Sequence, residues 1–122
     1  MKKILVAEDN DSNYILMSYI LRKYYAYDRA KNGQEAVEKV KSGDFDMVLM
    51  DIKMPVMDGL EATRQIRALD RQDAKEIPII ALTANAFDED VQRSLQAGLN
   101  AHLSKPVDAQ ALFSTLESLI RY

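Results

Sequence analysis

Hydrophobic and polar positions fall along this chain in five rounds, each a short apolar run followed by a stretch with helical spacing. Ile4-Leu5-Val6-Ala7 is apolar without alternation, the pattern of a strand buried on both faces of a sheet. It runs straight into Glu8-Asp9-Asn10. Asn10, Asp11, Ser12 and Asn13 are helix N-cap types. After them Ile15, Leu16, Tyr19, Ile20 and Tyr24 recur at helical spacing, which predicts a first helix to about Tyr24. Tyr25 to Ala30 has little apolar mass and reads as a weak strand at a sheet edge. Asn32-Gly33 signals a turn. Gln34 to Lys41, with Ala36, Val37 and Val40 on one face, predicts a short second helix stopped by Ser42-Gly43-Asp44.

The most apolar strand signal is Phe45 to Met50, which ends abruptly at Asp51. A loop with Pro55 and Asp58-Gly59 follows. Gly59 to about Leu69 predicts a third helix with Leu60, Thr63 and Ile66 inward and Arg64 and Arg67 outward. Asp70 to Glu76 is charged and reads as a surface loop. Ile77 to Leu82 is another buried strand, Pro78 being tolerated at its start, and it ends at Thr83-Ala84-Asn85. Phe87, Val91 and Leu95, spaced i, i+4, i+8, predict a narrow-striped fourth helix ended by Gly98. Ala101-His102-Leu103 is a short strand leading into Ser104-Lys105-Pro106. Asp108 can cap a last helix whose buried face is Leu112, Phe113, Leu116, Leu119 and Ile120. Strand and helix alternate five times, so the expected class is doubly wound α/β, with right-handed crossovers placing helices on both faces of a parallel sheet. There is no internal repeat, low-complexity segment or linker, and residues 1–122 read as one domain.

Composition narrows the function classes. A chain of 122 residues supports one core. No apolar run approaches the ~20 residues of a membrane span. The apolar stretch after Lys2-Lys3 is too short for a signal peptide. The absence of cysteine excludes disulfides, thiolate metal sites and a cysteine nucleophile. A cytoplasmic protein without membrane contact is expected. The net charge of −3 without a basic block argues against direct nucleic-acid binding. A single histidine excludes a multi-histidine metal site.

The chemistry gathers at strand ends. Glu8-Asp9, Asp51, Thr83 and Lys105 each follow or close an apolar run, and in a parallel sheet these ends open on one edge, where such folds bind ligands. Three carboxylates crowded at ~4 Å repel by about 4 kcal/mol per pair at an effective dielectric near 20. Raised pKa values or a bound divalent cation would offset this. An all-oxygen acidic site suits Mg²⁺. Asp51 could then serve as a carboxylate nucleophile toward phosphorus, with Lys105 and Thr83 on the phosphoryl oxygens.

Over essentially its whole length the chain resembles the receiver domain of two-component response regulators, and most of all the receivers of hybrid histidine kinases. The resemblance rests on Val6-Ala7-Glu8-Asp9-Asn10, Met50-Asp51-Ile52-Lys53-Met54-Pro55-Val56-Met57-Asp58-Gly59, Leu82-Thr83-Ala84 and Leu103-Ser104-Lys105-Pro106, in that order and spacing. It implies the flavodoxin-like strand order 2-1-3-4-5, for which a chemotaxis regulator of this family is a standard example. It also implies that Asp51 accepts a phosphoryl group from a phosphohistidine in a phosphorelay. Asp9, Asp51, the backbone carbonyl of Lys53 and, through water, Glu8 would hold Mg²⁺ or Mn²⁺. Thr83 and Lys105 would bind the phosphoryl group, and Lys105-Pro106 would be cis. The partners would be a histidine kinase or a histidine phosphotransfer protein, and the domain a monomer or a weak phosphorylation-linked dimer. It would be no enzyme beyond self-catalysed phosphotransfer and autodephosphorylation.

Two positions depart from the family pattern. His102 stands at the switch position, usually Tyr or Phe, that is coupled to Thr83. Lys53, two residues past the acceptor, is expected to lie over the acyl phosphate. Competing readings are a docking-only receiver, a small aspartyl-phosphate phosphatase and an FMN-binding flavodoxin. The phosphatase needs a second acid where Lys53 stands. The flavodoxin needs a Ser-, Thr- and Gly-rich phosphate loop where Glu8-Asp9-Asn10-Asp11 stands.

Overall fold

The structure is a computed structural model that describes residues 2–84 and 97–119. Its strands are β1 (Lys3–Ala7), β2 (Ala26–Ala30), β3 (Met47–Asp51), β4 (Ile79–Thr83) and β5 (Ala101–Ser104). Its described helices are α1 (Asp11–Leu21), α2 (Gly33–Ser42), α3 (Gly59–Arg67), α4 (Gln72–Glu76) and α5 (Ala109–Leu119). All strand pairs are parallel, in the order β2-β1-β3-β4-β5, as expected. The predicted fourth helix with Phe87, Val91 and Leu95 lies outside the described residues.

The uninterrupted apolar runs have their reason in the two faces of the sheet. Leu5, Ala7, Val48, Met50, Ile79 and Ala81 pack against Ala36, Val37 and Val40 of α2 and Ala62 and Ile66 of α3. The intervening Ile4, Val6, Met47, Leu49, Ile80 and Leu82 pack against Met17 and Leu21 of α1 and Leu112 and Leu116 of α5. Every residue of β3 and β4 is buried, whereas β2 lies at the edge and is half-buried along most of its length. Ala26 to Ala30 pairs only with β1 among the described strands.

Four details differ from the sequence reading. Helix α1 ends at Leu21, not Tyr24, and buries Met17 and Leu21. Ile15, Leu16 and Tyr19 face solvent instead. The stretch predicted as a loop contains the single-turn helix α4. Arg71, just before it, donates to the carbonyls of Val40 and Lys41 at 2.8 and 2.9 Å, and Ala74 is buried. One turn shows too little periodicity to be recognised. Arg67 does not point outward. Its guanidinium crosses to the Gly98 carbonyl at 2.9 Å, Asn100 Oδ1 at 2.9 Å and the Ala74 carbonyl at 3.0 Å. Strand β4 starts at Ile79, after Pro78, whose carbonyl accepts from Val48 N at 2.9 Å.

Candidate phosphoacceptor and metal site

The strand register builds the site. Ala7 pairs with Met50, so the next residues, Glu8 and Asp51, come level at the carboxyl edge. Asp51 pairs with Leu82, and Thr83 pairs with Ser104. Beyond them Lys105 N donates to the Thr83 carbonyl at 2.9 Å, which carries the β4–β5 pairing one residue further and holds Lys105 at the same edge. The Lys105-Pro106 bond is cis. Carboxylate oxygens of Glu8, Asp9 and Asp51 lie within 4.8 Å of one another.

Two of these acids are not solvated. Glu8 is 0% exposed and Asp51 4%, while Asp9 is exposed. Glu8 is therefore not a surface acid. Lys105 Nζ is 3.0 Å from Glu8 Oε2 and 3.0 Å from Asp51 Oδ2. Burial alone would lower the Lys105 pKa, but its bonds to Asp51 and Glu8 outweigh that and hold it above the ordinary value. Burial is also the largest influence on Asp51, and it raises the pKa. The Lys105 bond pulls it back, the charge on Glu8 pushes it up, and the balance lies at about 6. The crowding of acids is thus offset in two ways: the Asp51 pKa is raised, one of the two expected answers, and the Lys105 ammonium stands between Glu8 and Asp51.

The donor set fits a hard divalent cation. It offers three carboxylates and no sulfur or imidazole. Glu8 Oε2 is buried, and the positive group against it among the described residues is the Lys105 ammonium at 3.0 Å, shared with Asp51.

The loop after Asp51 is tightly held. Lys53 N donates to Asp51 Oδ1 at 3.3 Å, while the Lys53 side chain is exposed. Met57 N donates to the Pro55 carbonyl at 2.7 Å around Val56, whose φ is +69°. A β-branched residue in that region is strained, and Val56 is 82% exposed. Gly59 follows where a Cβ would stand 2.2 Å from the Asp51 carbonyl oxygen, so only glycine lets α3 start this close to the acceptor strand. A Cβ at Gly33 would likewise meet the Met57 carbonyl oxygen at 2.3 Å, and Gly33 N donates to that oxygen at 2.9 Å.

Thr83 closes β4 and is 9% exposed. His102 sits one step back from the edge, opposite Ala81. Its Nε2 is buried with no hydrogen-bond partner among the described residues, and burial lowers its pKa. Sequence reasoning missed Arg29, which donates to the carbonyls of both Glu8 and Asp9. No periodicity marks a basic residue in an edge strand, so no signal pointed to it.

A family model for the response regulator receiver domain matches residues 4–117. The chain belongs to the response-regulator receiver family. This receiver is 44% identical over 117 residues to hybrid signal transduction histidine kinase B of Dictyostelium discoideum, covering 88% of the chain and 6% of that protein. It spans similarly small shares of other hybrid kinases that it matches. Among solved structures it is similar to the receiver domain of a sensor histidine kinase from Pseudomonas aeruginosa, with a magnesium ion coordinated in the active-site cleft. That match has a TM-score of 0.89 and 39% identity, covering 97% of this chain and 96% of the other. It is also similar to the receiver domain of Ssk1 from Saccharomyces cerevisiae, crystallised with the histidine phosphotransfer protein Ypd1. There the TM-score is 0.89 and the identity 36%, covering 97% and 88% of the two chains. The receiver is thus a domain of two-component phosphorelay systems with the flavodoxin-like fold. No helix among the described residues is long and apolar enough to cross a membrane.

Proposed function

We propose that this receiver takes a phosphoryl group onto Asp51 from a phosphohistidine donor. The observation that carries the reading is a buried carboxylate of raised pKa held 3.0 Å from an ammonium, beside two further carboxylates. Asp51 is assigned as the nucleophile. A carboxylate oxygen forms the O–P bond as the P–N bond breaks, and the imidazole leaves with its electron pair and takes up a proton. Lys105 and Thr83 are assigned to donate to phosphoryl oxygens as charge develops on them. Glu8, Asp9, Asp51 and the Lys53 carbonyl are assigned as the ligands of Mg²⁺ or Mn²⁺. When bound, the cation supplies charge neutralisation at the acids and at the phosphoryl oxygens.

The magnesium ion in the active-site cleft of the Pseudomonas receiver supports a divalent cation here. The Ypd1–Ssk1 complex supports a histidine phosphotransfer protein or a histidine kinase as partner. In this reading residues 1–122 act as one cytoplasmic phosphoacceptor domain, a signalling switch rather than an enzyme with its own substrate. It makes no contact with nucleic acid or membrane, and it is a monomer or a weak dimer linked to phosphorylation. Thr83 and His102 are assigned to the change that follows phosphorylation, and Lys53 to the lifetime of the acyl phosphate.

The test is intact mass after incubation with acetyl phosphate and Mg²⁺. One phosphoryl adduct is expected, lost in Asp51→Asn and lost with EDTA, with an altered decay rate in Lys53→Ala. An adduct that persists in Asp51→Asn would refute the assignment. No adduct together with no Mg²⁺ binding would favour the docking-only receiver.

A further inference from the structure

Arg29 belongs to none of the strand ends, yet it is bound to the backbone of the acidic turn. It lies on β2 opposite Val6. Its Nε donates to the Glu8 carbonyl at 3.1 Å and its Nη2 to the Asp9 carbonyl at 3.3 Å. The same Nη2 pairs with Asp11 Oδ1 at 2.9 Å, and the guanidinium lies 4.5 Å from the ring centroid of Tyr14. The side chain is only 17% exposed. Glu8 N in turn donates to the Ala30 carbonyl at 3.0 Å. The turn that carries Glu8 and Asp9 is therefore tied to the edge strand through the peptide groups on both sides of Glu8, and through Asp11 at the start of α1.

We propose that Arg29 is a positioning residue for metal binding, fixing the peptide units from which the Glu8 and Asp9 carboxylates project toward Asp51. The inference rests on the metal-site reading above. Direction follows from covalent geometry: once the carbonyls of residues 8 and 9 are fixed, the side chains leave the backbone on fixed vectors and only their rotamers remain. A planar guanidinium reaches two carbonyls at once, and a lysine ammonium cannot reproduce that fork. Groups that orient ligands without touching the metal commonly change affinity by about 10- to 100-fold when removed.

Charge and positioning act with opposite sign here, which makes the proposal decidable. As a cation near the acids, Arg29 repels Mg²⁺, and its removal on that ground alone would tighten binding. As the anchor of the turn, its removal loosens the ligands and weakens binding. The experiment is a Mg²⁺ titration followed by backbone amide NMR shifts, on the native chain and on Arg29→Met and Arg29→Lys. A second readout in Mg²⁺-free buffer is amide hydrogen exchange at Asn10 and Asp11.

The expected result is a roughly tenfold weaker Mg²⁺ affinity in both variants, with faster exchange confined to the turn. Equal or tighter binding in the variants overturns the proposal. So does full recovery in Arg29→Lys, because the fork would then be irrelevant. Should Arg29→Met fail to fold, Arg29→Lys decides alone. A native chain that binds no Mg²⁺ overturns the metal-site reading and this inference with it, whereas a native chain that binds as its variants do overturns this inference only.

Discussion

Asp51 is the residue at which folding and protonation meet. In the folded chain it holds its proton up to about pH 6, whereas an unfolded aspartate releases it near pH 4. The folded pKa is the higher one, so its contribution to stability is full below about pH 4 and is lost as pH rises through about 6. Near neutral pH, without divalent cations, the ionised side chain then destabilises the fold on the order of 3 kcal/mol relative to a neutral one. Asp51→Asn is accordingly expected to raise the urea midpoint at about pH 7.5 and to leave it unchanged at about pH 4. The same gain at both pH values would show that burial of charge is not the cause. At this scale the sequence was legible wherever a polar residue ends an apolar run: Glu8, Asp51, Thr83 and Lys105 all stand at the edge where parallel strands open. It was not legible for Arg29. The function of that side chain depends on which strand lies beside β1, and this is a property of topology rather than of spacing.

Among the elements, strands were easier to read than helix faces. Runs such as Met47 to Met50 have no polar member and are too short for a buried helix, so length decides for a strand. Helix α1 carries apolar residues on more than one side. Ile15, Leu16 and Tyr19 have helical spacing just as Met17 and Leu21 do, and only docking on the sheet selects the second set. Helix starts were legible because capping is local chemistry. Asn10 Oδ1 accepts from Asn13 N and Asp108 Oδ2 from Ala111 N, each at 3.0 Å, whereas Asn32, read as part of a turn, caps α2: its Oδ1 accepts from Glu35 N at 2.8 Å. Asn32→Ala is expected to cost about 1 kcal/mol in urea denaturation and to leave the Mg²⁺ affinity unchanged. A loss below a few tenths would mean that water caps α2 equally well.

In the whole molecule, distant segments are joined by few side chains. Arg67 ties α3 to α4 and to the segment leading into β5, and Asn100, one of its acceptors, also accepts from Ile79 N at 2.8 Å. Burial lowers the Arg67 pKa, yet a guanidinium keeps its proton, so its hydrogen bonds remain charge-assisted. Arg67→Met is expected to destabilise the domain by about 2 kcal/mol, measured as the loss of unfolding free energy at constant m-value. An unchanged free energy would show that solvent replaces the bonds to all three acceptors.

The ammonium of Lys105, midway between Glu8 and Asp51, has a further consequence at this scale. It lies 3.0 Å from an oxygen of each, drawn by both carboxylates. Any covalent change that removes the negative oxygen of Asp51 unbalances that pair and displaces the ammonium toward whichever acceptor is then stronger. A single nitrogen nucleus thereby acts as a gauge of the chemical state of the pocket. In the ¹⁵N-enriched protein its side-chain resonance reads out that state from inside the fold, with no partner bound and no reporter group attached.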